Sequence, residues 1–161
     1  MQVLLVRHAA AVDSGSARAD YERWLTDDGR RTMVRVGDTL TAMGLLYSHV
    51  YTSPLVRAVQ TAEILAATQP GFDGPLEVLS ALSTEEGSAA QALAPLGQAA
   101  ADDLIVMVSH MPKVGVLAAH LGRLATAPSF RTGSACLLRL EGDQGRIEWM
   151  LDPDTCEPKQ L

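Results

Sequence analysis

Short apolar runs alternate with stretches of helical spacing along this chain, and this alternation is the feature that most constrains its fold. Gln2–Arg7, His49–Thr52 and Leu104–Val108 are short and apolar enough to form buried strands. Helical spacing of apolar residues follows each run, first at residues 33–43. Such alternation is typical of a mostly parallel sheet with helices on both faces, so we predict a three-layer α/β/α sandwich. Further strands are predicted at residues 76–79, 135–140 and 146–151.

Length and composition predict one domain that spans residues 1–161. A chain of 161 residues with 47% hydrophobic and 20% charged residues is neither disordered nor fibrous. Its net charge of −6 disfavours a nucleic-acid-binding protein, whose surface would be basic. The first residues lack the basic start of a signal peptide, and no apolar run approaches the roughly 20 residues of a membrane span. We therefore expect a cytoplasmic protein with no nucleic-acid or membrane partner.

Metal and cofactor motifs are missing from the sequence. The two cysteines, Cys136 and Cys156, have no CxxC or CxxH spacing, and the acidic residues lack the spacing of a calcium loop. The motifs of serine hydrolases, zinc proteases, dinucleotide-binding proteins and P-loop NTPases are also missing. We therefore predict that the protein uses no metal and no cofactor.

Hydroxyl residues mark the predicted helix starts. Thr26 is expected to cap a helix that ends at Gly44. Ser53, followed by proline at the first helical position, predicts the start of the next helix. The alanine-rich stretch 84–101 predicts one irregular helix. The apolar face of the helix after Ser53 would be formed by Leu55, Val59, Ala62, Leu65 and Ala66.

Basic side chains lie where three of the predicted strands end. Arg7 and His8 follow the first strand, Arg57 lies one turn beyond the second, and His110 follows the strand that starts at Leu104. Each residue alone could have a structural role, as a solvated strand end or a helix cap. Ligands of parallel sheets bind beyond the carboxyl ends of the strands, so all four side chains are expected to converge there.

Two arginines and two histidines at one place suit phosphoryl transfer. The planar guanidinium binds phosphate oxygens in pairs, and Arg57 also lies near a helix N-terminus that attracts anions. A neutral imidazole is a nucleophile that can carry a phosphoryl group. Nearby arginines disfavour protonation of a histidine, so His8 is expected to be neutral and reactive near pH 7.

Four segments, in this order, resemble the histidine phosphatase superfamily. They are Val6-Arg7-His8-Ala9, Leu25-Thr26-Asp27-Asp28-Gly29, the segment from Ser53 to Ala62, and Val108-Ser109-His110-Met111-Pro112. The resemblance extends over residues 1–122, with alanine at position 9 where glycine is usual. It implies a phosphoglycerate mutase-like fold and a covalent phosphohistidine intermediate on His8. It further implies that Arg7, Arg57 and His110 form the phosphate pocket.

The segment after residue 79 departs from the family pattern. Larger members place a glutamate after a Leu-x pair as the general acid, whereas here Leu82 and Ser83 precede Thr84, and the glutamates follow one position late. Glu85 is the nearest candidate for the acid; the alternative is that the pair Glu85 and Glu86 only favours a helix N-terminus. This short layout resembles the SixA-type phosphohistidine phosphatases, a bacterial subgroup whose members often lack the glutamate.

Three functions therefore stand as hypotheses. The leading one is a metal-independent phosphatase that acts on phosphohistidine in a protein partner. The second is a phosphatase or mutase for a small phosphate ester, and the third is a non-catalytic phosphate-binding module. Only about 50 residues separate Arg57 from His110, which leaves little chain for a lid over a small substrate and favours the first. The presence of both arginines and both histidines argues against the third.

Overall fold

The structure is a computed structural model that describes residues 1–142 and 144–160, and in them seven strands form one sheet. The strands are β1 (Gln2–Arg7), β2 (His49–Thr52), β3 (Leu76–Val78), β4 (Leu104–Ser109), β5 (Ala135–Glu141), β6 (Gln144–Leu151) and β7 (Pro158–Lys159). The helices are α1 (Asp27–Ala42), α2 (Val56–Thr68), α3 (Ala89–Leu93) and α4 (Lys113–Gly122). Short 3-10 turns lie at Ser14–Ser16, Asp20–Glu22, Ser80–Leu82 and Ala94–Gln98.

The sheet has a parallel half and an antiparallel half. Its order is β3-β2-β4-β1-β5-β6-β7, and the first four strands are parallel to one another. β5, β6 and β7 each pair antiparallel with the preceding strand of that order. β6 starts three positions after β5 ends, which is too short for the crossover that a parallel pair needs.

Two hydrophobic cores lie on the two faces of this sheet. Leu4 and Val6 of β1 pack in the core that α1 and α2 cover, whereas Val3 and Leu5 pack in the core that α3 and α4 cover. Successive side chains of a strand point to opposite faces, so an uninterrupted apolar run is what a doubly covered strand requires. The predicted three-layer α/β sandwich is confirmed.

Two predicted helices differ in the structure. α2 starts at Val56 rather than directly after Ser53, and its buried face contains Arg57. The rest of that face is Ala58, Thr61, Ala62 and Leu65, whereas Leu55, Val59 and Ala66 are only partly buried. The stretch 84–101 forms α3 and then a separate 3-10 turn that contains Pro95, because proline cannot continue the α-helical hydrogen bonds. The short β7 was not predicted.

The start of α1 closes tightly against the loop that follows β1. The Thr26 hydroxyl accepts a hydrogen bond from the Gly29 N–H at 3.0 Å, as predicted for a helix cap. The Thr26 N–H donates to the Ala10 carbonyl at 2.9 Å. A side chain at Gly29 would overlap that same carbonyl oxygen, so this helix turn reaches the loop only because residue 29 is glycine. These contacts position the backbone of Ala10, which lies two residues after His8.

Gly29→Ala is expected to destabilise the fold by about 1–3 kcal/mol, because the added methyl group forces α1 away from the Ala10 carbonyl. Urea unfolding measures the change. Gly97→Ala is the matched control, because an added methyl group there meets no atom within 4 Å. An equal stability of the two variants would contradict the close packing at Gly29.

Candidate active site

A cavity of about 320 Å³ lies at the carboxyl ends of the parallel strands. Arg7 ends β1, His8 follows it, Arg57 lies in the first turn of α2, and His110 follows β4. The structure thus brings together all four side chains that the strand-end pattern singled out. The cavity is lined by Arg7, His8, Ala10, Ala11, Arg23, Arg57, Thr84, His110, Met111 and Thr132.

His8 is held with one ring nitrogen toward the backbone and the other toward Arg57. Its Nδ1 lies 2.7 Å from the Ala9 carbonyl oxygen, which can only accept, so Nδ1 carries the proton. The other nitrogen, Nε2, therefore has a lone pair, and the Arg57 Nε–H donates to it at 3.3 Å. This is the tautomer in which Nε2 can act as a nucleophile.

Both histidines of the cavity are neutral at pH 7. Burial lowers the pKa of His8 to about 4, and the charges of Arg57, Arg7 and Arg23 lower it too, against the opposing effect of the Ala9 carbonyl. Burial likewise lowers the pKa of His110 to about 3, with further lowering by His8 and Arg57. The two rings lie 4.9 Å apart between centroids, so the protonation of one disfavours that of the other.

Two buried nitrogens of the cavity residues lack a protein partner. Arg7 donates from Nη1 to the Phe130 carbonyl at 2.7 Å, but its Nε is buried and unpaired. His110 contacts the Ser53 hydroxyl through Nε2 at 2.7 Å, and its Nδ1 is buried and unpaired. Buried polar atoms normally have hydrogen-bond partners, so each of these two nitrogens has hydrogen-bonding capacity that no protein group uses.

Ser53 has a different role from the one that its sequence position suggests. Its hydroxyl accepts a weak hydrogen bond from the Leu55 N–H at 3.3 Å, but α2 begins only at Val56. The shorter contact of that hydroxyl is with His110, so Ser53 orients the imidazole of that histidine. The residue was predicted as a helix cap, and its principal contact is within the site.

Two residues to which the sequence pattern assigned no role join α2 to the loop of His8. The Thr61 hydroxyl accepts from the Ala9 N–H at 3.1 Å and donates to the Arg57 carbonyl at 2.7 Å. Gln60 accepts from the Leu25 N–H through its side-chain oxygen at 2.8 Å. Gln60 and Thr61 lie three and four residues after Arg57, and therefore on the same face of the helix. This spacing is the sequence feature that could have identified them.

Glu85 is not among the residues that line the cavity. Its exposed side chain lies on a neighbouring cleft of about 390 Å³ that shares only Thr84 with the cavity and is also lined by Asp20 and Tyr21. Lys113 holds the backbone of this segment through the carbonyls of Ala81, Glu86 and Gly87. A role for Glu85 as general acid stays a prediction.

The described residues 1–142 and 144–160 contain neither a cluster of metal-ligating side chains nor a membrane-crossing helix. No group of three or more His, Cys, Asp or Glu side chains in them is placed to hold a metal ion. None of their helices has the length and apolar character needed to cross a membrane. The metal independence and the cytoplasmic location inferred from the sequence stay predictions.

The buried neutral histidines are expected to destabilise the fold in acid. The pKa of His8 is about 4 in the folded chain, against 6.5 for an ordinary histidine, so the unfolded chain binds more protons between these values. The free energy of unfolding therefore falls as the pH falls from 6.5 to about 4. His8→Asn should lose less stability over this window in urea unfolding at a series of pH values, and His120→Asn is the control. If the free energy of unfolding had the same pH dependence in His8→Asn and in the unmodified protein, the lowered pKa of His8 would be contradicted.

Comparison with known proteins yields a family model and close relatives. The model of the histidine phosphatase superfamily (branch 1) matches residues 3–83. Phosphohistidine phosphatase SixA of Escherichia coli (strain K12) is 31% identical over an alignment of 169 positions, gaps included, which covers 95% of this chain and 94% of the relative. An uncharacterized protein of Picosynechococcus sp. is 34% identical over 150 residues, or 92% of this chain and 89% of the relative.

A solved structure agrees with these matches. The structure of the protein histidine phosphatase SixA complexed with tungstate has a TM-score of 0.86 to this chain at 28% sequence identity. The match covers 98% of this chain and all of that one. Since the family model spans half of the chain and two relatives exceed 30% identity over most of it, the chain belongs to branch 1 of the histidine phosphatase superfamily and is a phosphatase.

Proposed function

We propose that this phosphatase acts on phosphohistidine in a protein partner, through a covalent phosphohistidine on His8 and without a metal. The observation that carries the proposal is the chemistry of the cavity wall. Its titratable side chains are three arginines and two imidazoles, and the carboxylate next to it, that of Asp20, lies on the neighbouring cleft and is ion-paired with Arg57 and Arg23. Such a wall binds a phosphoryl group well but offers no acidic proton to a leaving group.

In the first step, the lone pair of His8 Nε2 attacks phosphorus. The new P–N bond forms as the P–N bond to the substrate imidazole breaks, and the bonding electrons leave with that imidazole. The hydrogen bond from Nδ1 to the Ala9 carbonyl keeps the ring in the required tautomer and disperses the positive charge that develops on it. A pKa of about 4 ensures that the attacking nitrogen is unprotonated at pH 7.

The arginines stabilise the charge on the transferred group. Arg57 Nε donates to His8 Nε2 in the structure, and this N–H turns to a phosphoryl oxygen as substrate binds, which frees the Nε2 lone pair to attack phosphorus. Arg7 offers its unpaired Nε for another oxygen. Phosphoryl transfer depends mainly on positioning and on stabilising charge, and these guanidinium groups can supply both.

His110 completes the phosphate pocket in this proposal. The Ser53 hydroxyl accepts from the Leu55 N–H and lies next to His110 Nε2, to which it can donate its own proton. The ring proton of His110 is then on Nδ1, the buried nitrogen without a protein partner. A neutral Nδ1–H donor adds a hydrogen bond to a phosphoryl oxygen without adding a charge.

The leaving group decides between phosphohistidine and an alkyl ester. An alkoxide needs a proton from the enzyme as it leaves, whereas the imidazole of protonated phosphohistidine leaves without one. The carboxylate nearest to the arginines is Asp20, and Arg23 and Arg57 hold its pKa below the ordinary value, so it remains ionised at pH 7. The likeness to the phosphohistidine phosphatase SixA over 95% of the chain supports the same substrate class.

In the second step, water attacks the phosphorus of the phosphorylated His8. The P–N bond breaks, its electrons return to Nε2, and inorganic phosphate leaves. The water gives up a proton to solvent or to a phosphoryl oxygen. The same arginines hold the phosphoryl oxygens in both steps, so no residue has to exchange its role.

His8→Ala is expected to abolish turnover, because no other nucleophile lies at this position. A phosphohistidine peptide and a panel of sugar phosphates are assayed side by side with EDTA present, and an acid-labile phosphoenzyme is sought by rapid quenching. His120→Ala, which changes an exposed histidine on α4, is the matched control. Normal turnover in His8→Ala, a loss of activity in EDTA that magnesium restores, or faster release from a sugar phosphate would each contradict the proposal.

Glu85→Gln is expected to leave phosphohistidine, aryl phosphate and alkyl phosphate hydrolysis unchanged, because Glu85 lies off the cavity wall. Steady-state kinetics on the three substrates measure this, with Glu86→Gln as the neighbouring control. A loss on the order of a hundredfold that is confined to the alkyl phosphate would instead identify Glu85 as the general acid.

A further inference from the structure

The guanidinium of Arg57 is paired with Asp20 through both of its terminal nitrogens. Arg57 donates from Nη2 to the Asp20 carboxylate at 3.0 Å and from Nη1 to the Asp20 backbone carbonyl at 2.7 Å. Together with the Nε contact to His8, every nitrogen of this guanidinium has a partner. A phosphoryl group that enters the cavity therefore meets an arginine that already holds an anion.

The same carboxylate is shared with a second arginine of the cavity. Arg23 donates from Nη1 to the other carboxylate oxygen of Asp20 at 2.9 Å. Asp20 thus bridges two of the three arginines that line the cavity. Among residues 1–142 and 144–160, Asp20 is the one acidic residue whose carboxylate forms an ion pair with an arginine of the cavity.

Burial explains why Arg57 needs such a partner. The side chain of Arg57 is 6% exposed, whereas that of Asp20 is 59% exposed. A buried cation without a counter-charge is costly, and in the empty cavity the Asp20 carboxylate supplies that charge. Asp20 lies on a short 3-10 turn, Asp20–Glu22, so its exposed side chain can leave Arg57 without disturbing the sheet.

We infer that Asp20 is an exchangeable counter-ion, which pairs with Arg57 and Arg23 when the cavity is empty and yields both arginines to a bound tetrahedral oxyanion. The inference rests on the proposed role of Arg57 as a phosphate ligand. Asp20 thereby lowers the affinity of the cavity for an oxyanion, in addition to any effect that it has on the shape of the site. When inorganic phosphate leaves, the carboxylate takes its place on the arginines, which favours release of the product.

This competition predicts the direction in which removal of the Asp20 charge changes the affinity for an oxyanion. A carboxylate that stabilises only the empty site lowers the affinity for any anion that must replace it. Removal of its charge leaves Arg57 and Arg23 without a counter-ion, so an oxyanion gains more by binding. A residue that merely supports the loop would act in the opposite direction, because its loss would disorder Arg57 and weaken binding.

Calorimetric titration with tungstate tests the inference on the intact chain. Asp20→Asn preserves the size of the side chain and is expected to bind tungstate about three- to tenfold more tightly than the unmodified protein. Asp13→Asn removes the same charge from the same loop, where the side chain forms no capping hydrogen bond, and should change the affinity by less than about twofold. Unchanged or weaker tungstate binding by Asp20→Asn would overturn the inference.

A second measurement needs no variant. A crystal structure of the unmodified protein with tungstate should show the Asp20 carboxylate beyond hydrogen-bond distance of Arg57 Nη2, and a retained pair would overturn the inference even if Asp20→Asn does not fold. Tungstate binding requires no phosphohistidine substrate. The inference can therefore fail while the proposed substrate stands, and a protein found to prefer sugar phosphates would refute the substrate alone.

Discussion

The parallel pairing of β4 with β1 on one side and with β2 on the other is the constraint on which the site depends. Arg7 lies opposite Ser109, and Thr52 lies opposite Val108, so the three strands end at the same level. The ladder continues one step further, because the N–H of His8 donates to the Ser109 carbonyl and that of Ser53 to the Val108 carbonyl. A shift of register by two residues would move His8 away from His110 by roughly 7 Å, beyond the reach of one phosphoryl group.

The parts of the site that lie on this ladder were predictable from the sequence. Uninterrupted apolar runs identify doubly covered strands, and a basic residue at the end of such a run has only the sheet edge to occupy. Arg7, His8 and His110 were found in this way. The antiparallel strands β5, β6 and β7 contribute none of the described residues that line the cavity, so their direction did not affect the prediction of the site.

Other parts depend on contacts that a local pattern does not contain. The buried face of α2 was misplaced because a count of apolar residues cannot include a buried arginine, and Arg57 is the residue around which that face is built. Asp20 lies in a loop without periodicity, 37 positions before its partner Arg57. Glu85 was sought by its distance from a motif, but its location depends on how the surrounding backbone is held by Lys113.

Lys113 links the neighbouring cleft to α4, the helix that follows His110. An ammonium group has three N–H donors, and here the three contacts of that group are with the carbonyls of Ala81, Glu86 and Gly87. One cation therefore closes the backbone segment 81–87 into a ring that is tied to the first residue of α4. Since His110 stands just before that helix, the rim of the cleft and the imidazole of His110 share one rigid support, and a shift of α4 would move them together.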